Sequence, residues 1–251
     1  MSESPSTAAI SIRNLTKSFG AKKVLDNISL EIGHGEIVAI MGSSGGGKTT
    51  LLRCISGLIE STSGEIHVQG IDARKDAEGA RTQLGMVFQA AALFDFMNVG
   101  DNIRFGLKRR TKLKPSEREA KIKEVLALVG MEETEGLMPS ELSGGMQKRI
   151  GIARALALVP KVMLYDEPTT GLDPITTYTI DQLIVDLRKR LGMTSLLVSH
   201  DVSSVFRVAD RIAFLDGGQL IFVGNPKEFE ASRDEAIREL VEKSQATSFA
   251  T

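Results

Sequence analysis

The stretch that most constrains this chain is GSSGGGKTT, from Gly42 to Thr50. It follows the apolar run EIVAIM and precedes LLRCISGL, a pattern that predicts a buried strand, a glycine-rich turn and a helix. Glycines let the backbone wrap an anion closely with successive N–H groups pointing inward, and the start of the helix adds a favourable dipole. A glycine, four residues and then Gly47-Lys48-Thr49 therefore predict a phosphate-binding loop.

The positions of this loop have different expected roles. The backbone around the phosphates is expected to come from Gly42, Ser43, Ser44, Gly45, Gly46, Gly47 and Thr50. Lys48 is expected to reach the β- and γ-phosphates of a nucleotide, and Thr49 to bind Mg²⁺. The alternative is a glycine-rich surface turn, which does not explain the strand before it or the Gly-Lys-Thr after it.

A second candidate lies in VMLYDEP, where Asp166 and Glu167 follow an apolar run at the end of a predicted strand. A carboxylate at that place can hold Mg²⁺, directly or through water, and its neighbour can orient and deprotonate an attacking water molecule. The pair alone fits two solvated loop carboxylates equally well. The preceding phosphate loop favours the chemical interpretation.

Three single residues are weaker candidates. His200 ends SLLVSH, on the ligand side of a parallel sheet, where it can hydrogen-bond a γ-phosphate. Gln89 follows the strand LGMVF and can touch Mg²⁺ or water, and Phe19 can stack on an adenine ring. The alternatives are local packing for His200 and a core aromatic for Phe19.

The segment LSGGMQKRIGIARAL predicts a second site for an anion, because Ser143, Gly144 and Gly145 stand at the start of a helical run. These residues need not reach the phosphate loop of their own chain. A head-to-tail pair of chains would place each LSGG over the nucleotide of the other. The alternative is an ordinary helix cap, which by itself does not require both glycines.

Bulk properties limit the function classes. The chain has 251 residues, 42% of them hydrophobic, and a formal net charge of −1, which gives no reason to expect nucleic acid as a partner. The only cysteine, Cys54, is expected to be buried. No apolar run approaches the roughly 20 residues of a membrane helix, so a role at a membrane requires a partner.

The pattern along the chain predicts an α/β core with a helical insertion at about 90–160, after a tail at 1–9. One inserted helix, SEREAKIKEVLALVG, is predicted to start with a capping box of Ser116 and Glu119. A later helix is predicted to start at Asp173 and stop at Gly192. The segment 231–251 is amphipathic, so its apolar stripe should pack on another element.

Together these motifs resemble those of ATP-binding cassette (ABC) ATPases over roughly Ile10 to Phe229. The resemblance implies a domain at 10–230 with a RecA-like P-loop core, an antiparallel β subdomain and an inserted α-helical subdomain. It implies ATP and Mg²⁺ as cofactors, a second copy of the chain in an ATP-sandwiched dimer, and a transmembrane permease. The implied roles are an adenine-stacking aromatic at Phe19, a Mg²⁺-sensing loop at Gln89, a catalytic base at Glu167, a contact to the opposite protomer at Asp173 and a γ-phosphate switch at His200.

A narrower resemblance, to the ATPases of Mce-type phospholipid transporters, lies in ALFDFMNVGDNI, DEPTTGLDPIT and SHDVSSVFRVADRIAFL, and Met146 stands where glutamine is common. It implies phospholipid as cargo, Mce-domain and STAS-domain proteins as further partners, and a place on the cytoplasmic face of the inner membrane. The alternative is the ATPase of a small-molecule importer, for example of amino acids. Chromosome-maintenance ATPases insert coiled coils after the phosphate loop, and no sustained heptads occur here.

The loop AALFDFMNV directly after Gln89 is unusually apolar, with Leu93, Phe94, Phe96 and Met97. One or two of these side chains are expected to pack onto the core. The others are expected to form a shallow groove for a short helix of the permease.

Overall fold

The computed structural model describes residues 8–248 of the chain, with side chains described to residue 244. Its strands are β1 (Ile10–Phe19), β2 (Lys22–Ile32), β3 (Ile37–Gly42), β4 (Ser63–Val68), β5 (Ile71–Asp72), β6 (Leu84–Val87), β7 (Val162–Asp166), β8 (Thr194–Val198), β9 (Arg211–Asp216) and β10 (Gln219–Gly224). Its α-helices are α1 (Lys48–Ile55), α2 (Ala77–Thr82), α3 (Val99–Arg110), α4 (Pro115–Leu128), α5 (Gly144–Leu156), α6 (Pro174–Leu191), α7 (Val202–Val208), α8 (Pro226–Glu230) and α9 (Glu235–Ser248).

The strands form two sheets. One is antiparallel with the order β2-β1-β4-β5, and its alternating strand β2 buries Ile28, Leu30 and Ile32 as its pattern predicts. The other has the order β10-β9-β3-β8-β7-β6 and is parallel except for β10 at its edge. The predicted α/β class with an antiparallel β subdomain is confirmed.

The strand order places the candidate residues in a row. Parallel strands end at the same edge of a sheet, and ligands bind outside their carboxyl ends. The neighbours β3, β8, β7 and β6 are followed in turn by the phosphate loop, His200, Glu167 and Gln89. Adjacent strands are about 4.8 Å apart, so this row is about 14 Å long.

Between β6 and β7 the chain forms α3, α4 and α5, joined by loops and a short 3₁₀ turn at Pro139–Glu141. The apolar face of α4 is buried, with Ile122, Val125 and Leu126 at most 1% exposed. The predicted capping box is wrong, because α4 begins at Pro115, which lacks an N–H and suits the first helical position.

The acidic residue that caps α4 is therefore Glu117 in place of Glu119. The backbone N–H of Lys114 donates to the Glu117 carboxylate. The carboxylate of Glu119 instead accepts from Arg104 Nη2 at 2.7 Å, which ties α4 to α3. Ser116 lies inside the first turn of the helix.

The predicted ends of α6 are confirmed. Asp173 Oδ1 accepts from the backbone N–H groups of Ile175 and Thr176 at 3.0 Å, and Gly192 ends the helix with φ of 64°. The apolar face of α6 is buried except at its last member, Leu191, which is 45% exposed at the end of the helix.

The C-terminal helix α9 packs on the rest of the chain, as expected from its stripe. Ile237 and Val241 are buried beside Phe229, Met41 and Val205. Residues 1–7 of the predicted tail and residues 249–251 lie outside the described part of the chain.

Candidate active site

The phosphate loop requires glycine at two positions for steric reasons. Gly42 has φ of 150°, and a Cβ atom there would lie 1.9 Å from the carbonyl oxygen of Leu215. Gly47 has φ of 102°, and its Cβ would lie 2.8 Å from Leu25 Cδ2. Glycine at these positions lets the backbone turn under neighbouring strands before α1 begins.

Side chains of the loop contact the backbone and a neighbouring strand. Lys48 Nζ donates to the carbonyl oxygens of Gly42 at 2.9 Å and Ser43 at 2.8 Å. Burial lowers the pKa of Lys48, and the nearby charge of Glu167 opposes that shift. Ser43 Oγ also donates to Asp216 Oδ1 at 2.7 Å, so the loop is fixed to the end of β9.

Thr49 and Asp166 bring together oxygen atoms from the loop and from β7. Thr49 Oγ1 donates to Asp166 Oδ1 at 3.3 Å. Burial raises the pKa of Asp166, while the hydrogen bond from Thr49 lowers it. Hydroxyl and carboxylate oxygens are the ligands that Mg²⁺ prefers, so this pair fits a magnesium ion bound beside the phosphates.

Glu167 is held on several sides. Its backbone has φ of 51°, an uncommon conformation for a residue with a side chain. Its N–H donates to the carbonyl of Val198 at 2.9 Å. Its carboxylate Oε2 accepts from Thr170 Oγ1 at 2.6 Å and lies 2.5 Å from His200 Nδ1. The carboxylate therefore has one fixed position next to the loop.

A cleft of about 280 Å³ is lined by the phosphate loop, and Glu167 is among its other lining residues. Phe19 is 52% exposed at the end of β1, with Lys17 Nζ 4.7 Å from its ring centroid. An exposed ring is available for stacking, so the alternative of a core aromatic is wrong. Gln89 is exposed after β6, and its carbonyl accepts from Lys148 Nζ.

The LSGG segment lies elsewhere, and among the residues described here it contributes nothing to the lining of that cleft. Ser143 caps α5, and its Oγ accepts from the N–H of Met146 at 3.3 Å. A Cβ on Gly145 would lie 2.4 Å from Thr176 Cγ2, beside the cap formed by Asp173. Gly145 therefore has a packing requirement within its own chain.

Two contacts of Glu167, with Thr170 and with Lys148, are not among the contacts predicted above from the sequence. Thr170 follows Glu167 by three residues, and that short spacing is a usable signal for a side-chain hydrogen bond. Lys148 gives no such signal, because it stands in the polar run QKR, and lysine side chains are mostly exposed to solvent.

A parallel sheet with a glycine-rich loop after β3, a hydroxyl–carboxylate pair and a fixed glutamate defines a P-loop nucleotide-binding protein. Residues 25–170 match the family described as ABC transporter. The glutamine transport ATP-binding protein GlnQ of Escherichia coli K12 is 44% identical, over 87% of this chain and 92% of that protein. The probable ribonucleotide transport ATP-binding protein mkl of Mycobacterium leprae is 39% identical, over 93% and 68%. The chloroplastic protein TRIGALACTOSYLDIACYLGLYCEROL 3 of Arabidopsis thaliana is 37% identical, over 94% and 74%.

Solved structures agree with these relatives. The structure of cbiO1 from Clostridium perfringens, part of the cbiONQ transporter complex, has a TM-score of 0.84 at 31% identity and covers 98% of this chain and 99% of its own. The cassette MJ0796, a dimer bound to ADP and Pi, has a TM-score of 0.78 at 33% identity, over 86% and 98%. The chain belongs to the ABC transporter family and is an ATPase that uses ATP with Mg²⁺.

Within residues 8–248, none of the helices is long and apolar enough to span a bilayer.

Proposed function

We propose that this chain is the ATP-hydrolysing subunit of a transporter that moves phospholipid between membranes through a permease partner. The observation that carries the transport part is the apolar loop after Gln89, whose Phe96 is 76% exposed. The name of the Arabidopsis relative is that of a galactolipid, which supports a lipid as cargo. The motifs ALFDFMNVGDNI and DEPTTGLDPIT support the same class.

In the proposed reaction, Lys48 and the loop N–H groups bind the β- and γ-phosphates, and Phe19 stacks on the adenine. Glu167 accepts a proton from the attacking water molecule, and its contacts to Thr170 and His200 fix the carboxylate for that task. Magnesium would be held by Thr49, Asp166 and Gln89, and would neutralise charge on the phosphates.

The site needs a second copy of the chain to close. Ser143 and Gly144 are exposed at the N-terminal end of a helix of 13 residues, where backbone N–H groups favour an anion. Asp173 is exposed beside them. We propose that this surface covers the γ-phosphate bound to the partner chain, and the MJ0796 cassette, solved as a dimer, supports a pair of chains.

The surface for the permease is the loop Ala91 to Val99. Leu93 packs against the hydrophobic core, and the half-buried Phe94 packs edge-to-face with Phe105, with ring centroids 5.1 Å apart. The ring of Phe96 packs against that of Phe94, with centroids 5.7 Å apart, and is exposed to solvent. A large exposed aromatic supported from below is typical of an interface anchor.

Purification of the tagged chain from its native membrane, with mass spectrometry of bound proteins and lipids, tests the proposal. A permease, a Mce-domain protein, a STAS-domain protein and phospholipid are expected together. Phe96→Asp should leave the chain folded and able to bind ATP, yet lose the permease. Leu58→Asp, at a side chain 56% exposed between α1 and β4, is the control for a new surface charge.

The second candidate is an importer of a small molecule, favoured by the 44% identity to the glutamine transport protein GlnQ. Copurification with a solute-binding protein and a permease, without phospholipid, would establish this function in place of the first. Retention of the permease by Phe96→Asp would place the contact on another surface.

A further inference from the structure

Lys148 is a buried lysine for which the reaction above has no use. Its side chain leaves α5 about one and a half turns after Ser143, and the residue is 6% exposed. Lys148 Nζ lies 2.5 Å from the carbonyl oxygen of Gln89 and 3.5 Å from that of Glu167. A buried ammonium is costly without partners, so its position between these two carbonyls calls for a physical reason.

The same face of α5 holds the chain that follows Gln89. Arg154 donates to the carbonyl oxygens of Ala92 at 2.6 Å and Ala91 at 2.9 Å. Both alanines have positive φ, 56° and 50°, which costs about 1–2 kcal/mol for each. Gly151, between the two cations, packs against Ala91, where a Cβ would lie at 3.5 Å. The helix thus fixes a strained turn.

We propose that Lys148 is a positioning residue: its ammonium clamps the backbone after Gln89 and after Glu167 to the helix that starts with LSGG. This inference rests on the proposed function, in which LSGG serves the partner's nucleotide while Gln89 and Glu167 serve the chain's own. One helix then connects both nucleotide sites of the dimer. A change at Gln89 or Glu167 reaches Ser143 through about one and a half turns of α5.

The chemistry of the contact explains the choice of residue. An ammonium donates to several carbonyls at once, and charge-assisted hydrogen bonds are about twice as strong as neutral ones. Glu167 also holds a strained backbone, with φ of 51°, and its carbonyl accepts from Thr170 N–H at 3.3 Å as well as from Lys148. Removal of the ammonium frees both backbone segments while the helix itself remains.

Lys148→Met tests this clamp, because methionine fills a similar volume without a donor. Methionine leaves the carbonyl of Gln89 without its ammonium donor, but Gln89 is exposed, so water can take that place and the melting temperature should fall only slightly. Hydrogen–deuterium exchange of the nucleotide-free chain should accelerate about tenfold in the peptide 88–97, as expected for the loss of one hydrogen bond. The peptide 120–128 in α4 should not change.

Activity gives the second readout. Lys148→Met should lower kcat about 10- to 100-fold with less than about a twofold change in the Kd for ATP, because Glu167 is misplaced while the phosphate loop is intact. Lys148→Arg should restore much of the turnover and of the protection at 88–97. Lys121→Met, at another poorly exposed lysine, which pairs with Glu124 on α4, is the matched control.

Unchanged exchange at 88–97 in folded Lys148→Met would overturn the inference, whatever happens to turnover. Exchange in Lys148→Arg as fast as in Lys148→Met would also overturn it, because the clamp would not depend on a charged donor. The exchange measurement needs neither ATP nor a partner chain. A failure of the proposed function would be seen as a wild-type chain that copurifies with neither a permease nor phospholipid. It is therefore distinguishable from a failure of the clamp.

Discussion

The carboxylate of Glu167 and the imidazole of His200 are in direct contact, with Oε2 and Nδ1 2.5 Å apart. Thr170 Oγ1 donates to the same carboxylate oxygen at 2.6 Å. Both contacts use Oε2, so Oε1 is the oxygen that can accept a proton from water. Glu167 follows the end of β7 and His200 follows the end of β8, and these two strands are neighbours in the sheet.

Glu167→Gln should still bind ATP but hydrolyse it at less than about a tenth of the normal rate, since an amide cannot act as a base and general-base catalysis contributes about 10²- to 10⁴-fold. A nucleotide-binding titration and phosphate release measure the two quantities. Glu132→Gln, at an exposed residue that is distant from Glu167 in the sequence, is the control. Turnover above a tenth would show that Glu167 is not the base.

Ser143→Arg should abolish hydrolysis and the ATP-dependent dimer of the Glu167→Gln background, because a bulky cation would fill the space of the partner's γ-phosphate. Size-exclusion chromatography with ATP measures the dimer. Ser143→Ala loses the same helix cap, worth about 1 kcal/mol, without the bulk. Normal hydrolysis in Ser143→Arg would mean that the serine is only a cap.

Gly145→Ala should lower the free energy of unfolding by about 1–3 kcal/mol in urea, because the new methyl group would lie 2.4 Å from Thr176 Cγ2. Thr176→Ser removes that methyl group, keeps the hydroxyl that donates to Asp173, and should relieve the cost in the double variant. Gly144→Ala makes only an ordinary 3.5 Å contact with Leu172 and should not destabilise. Equal stability of all the variants would contradict the packing argument.

Asn102→Ala should lower the free energy of unfolding by about 3 kcal/mol and expose the loop of Phe96 to proteases. The Asn102 side chain is fully buried, and its two N–H groups are shared among three carbonyls of the loop at 3.0–3.1 Å from Nδ2, while Oδ1 accepts from the N–H of Phe94 at 2.8 Å. Asn225→Ala, which removes the exposed cap of α8, should cost about 1 kcal/mol. Similar losses in both variants would show that Asn102 does not brace the loop.

Much of the fold follows from local sequence signals. The runs of β3, β7 and β8 predict buried parallel strands, and Asp173 and Gly192 mark the ends of α6, because caps and apolar periodicity act over a few residues. The predicted start of α4 at Ser116 is wrong, because Pro115 occupies the first position of the helix.

The contacts within the site were harder to predict, because they depend on the strand order. The sequence alone does not state that β8 lies between β3 and β7, and this order brings His200 to Glu167. The positive φ of Glu167 and the burial of Lys148 are likewise imposed by tertiary packing.

The position of β3 in the sheet has a consequence for how the chain folds. Ile37 pairs with Ser195 and Val38 with Arg211, so the partners of this strand are made roughly 160 and 170 residues later in translation. At about 5–20 residues per second, the strand waits roughly 8–35 s with both edges unpaired. Such long-range pairing also slows folding. During synthesis the phosphate loop is therefore attached to an exposed apolar strand, a segment on which a ribosome-associated chaperone would act.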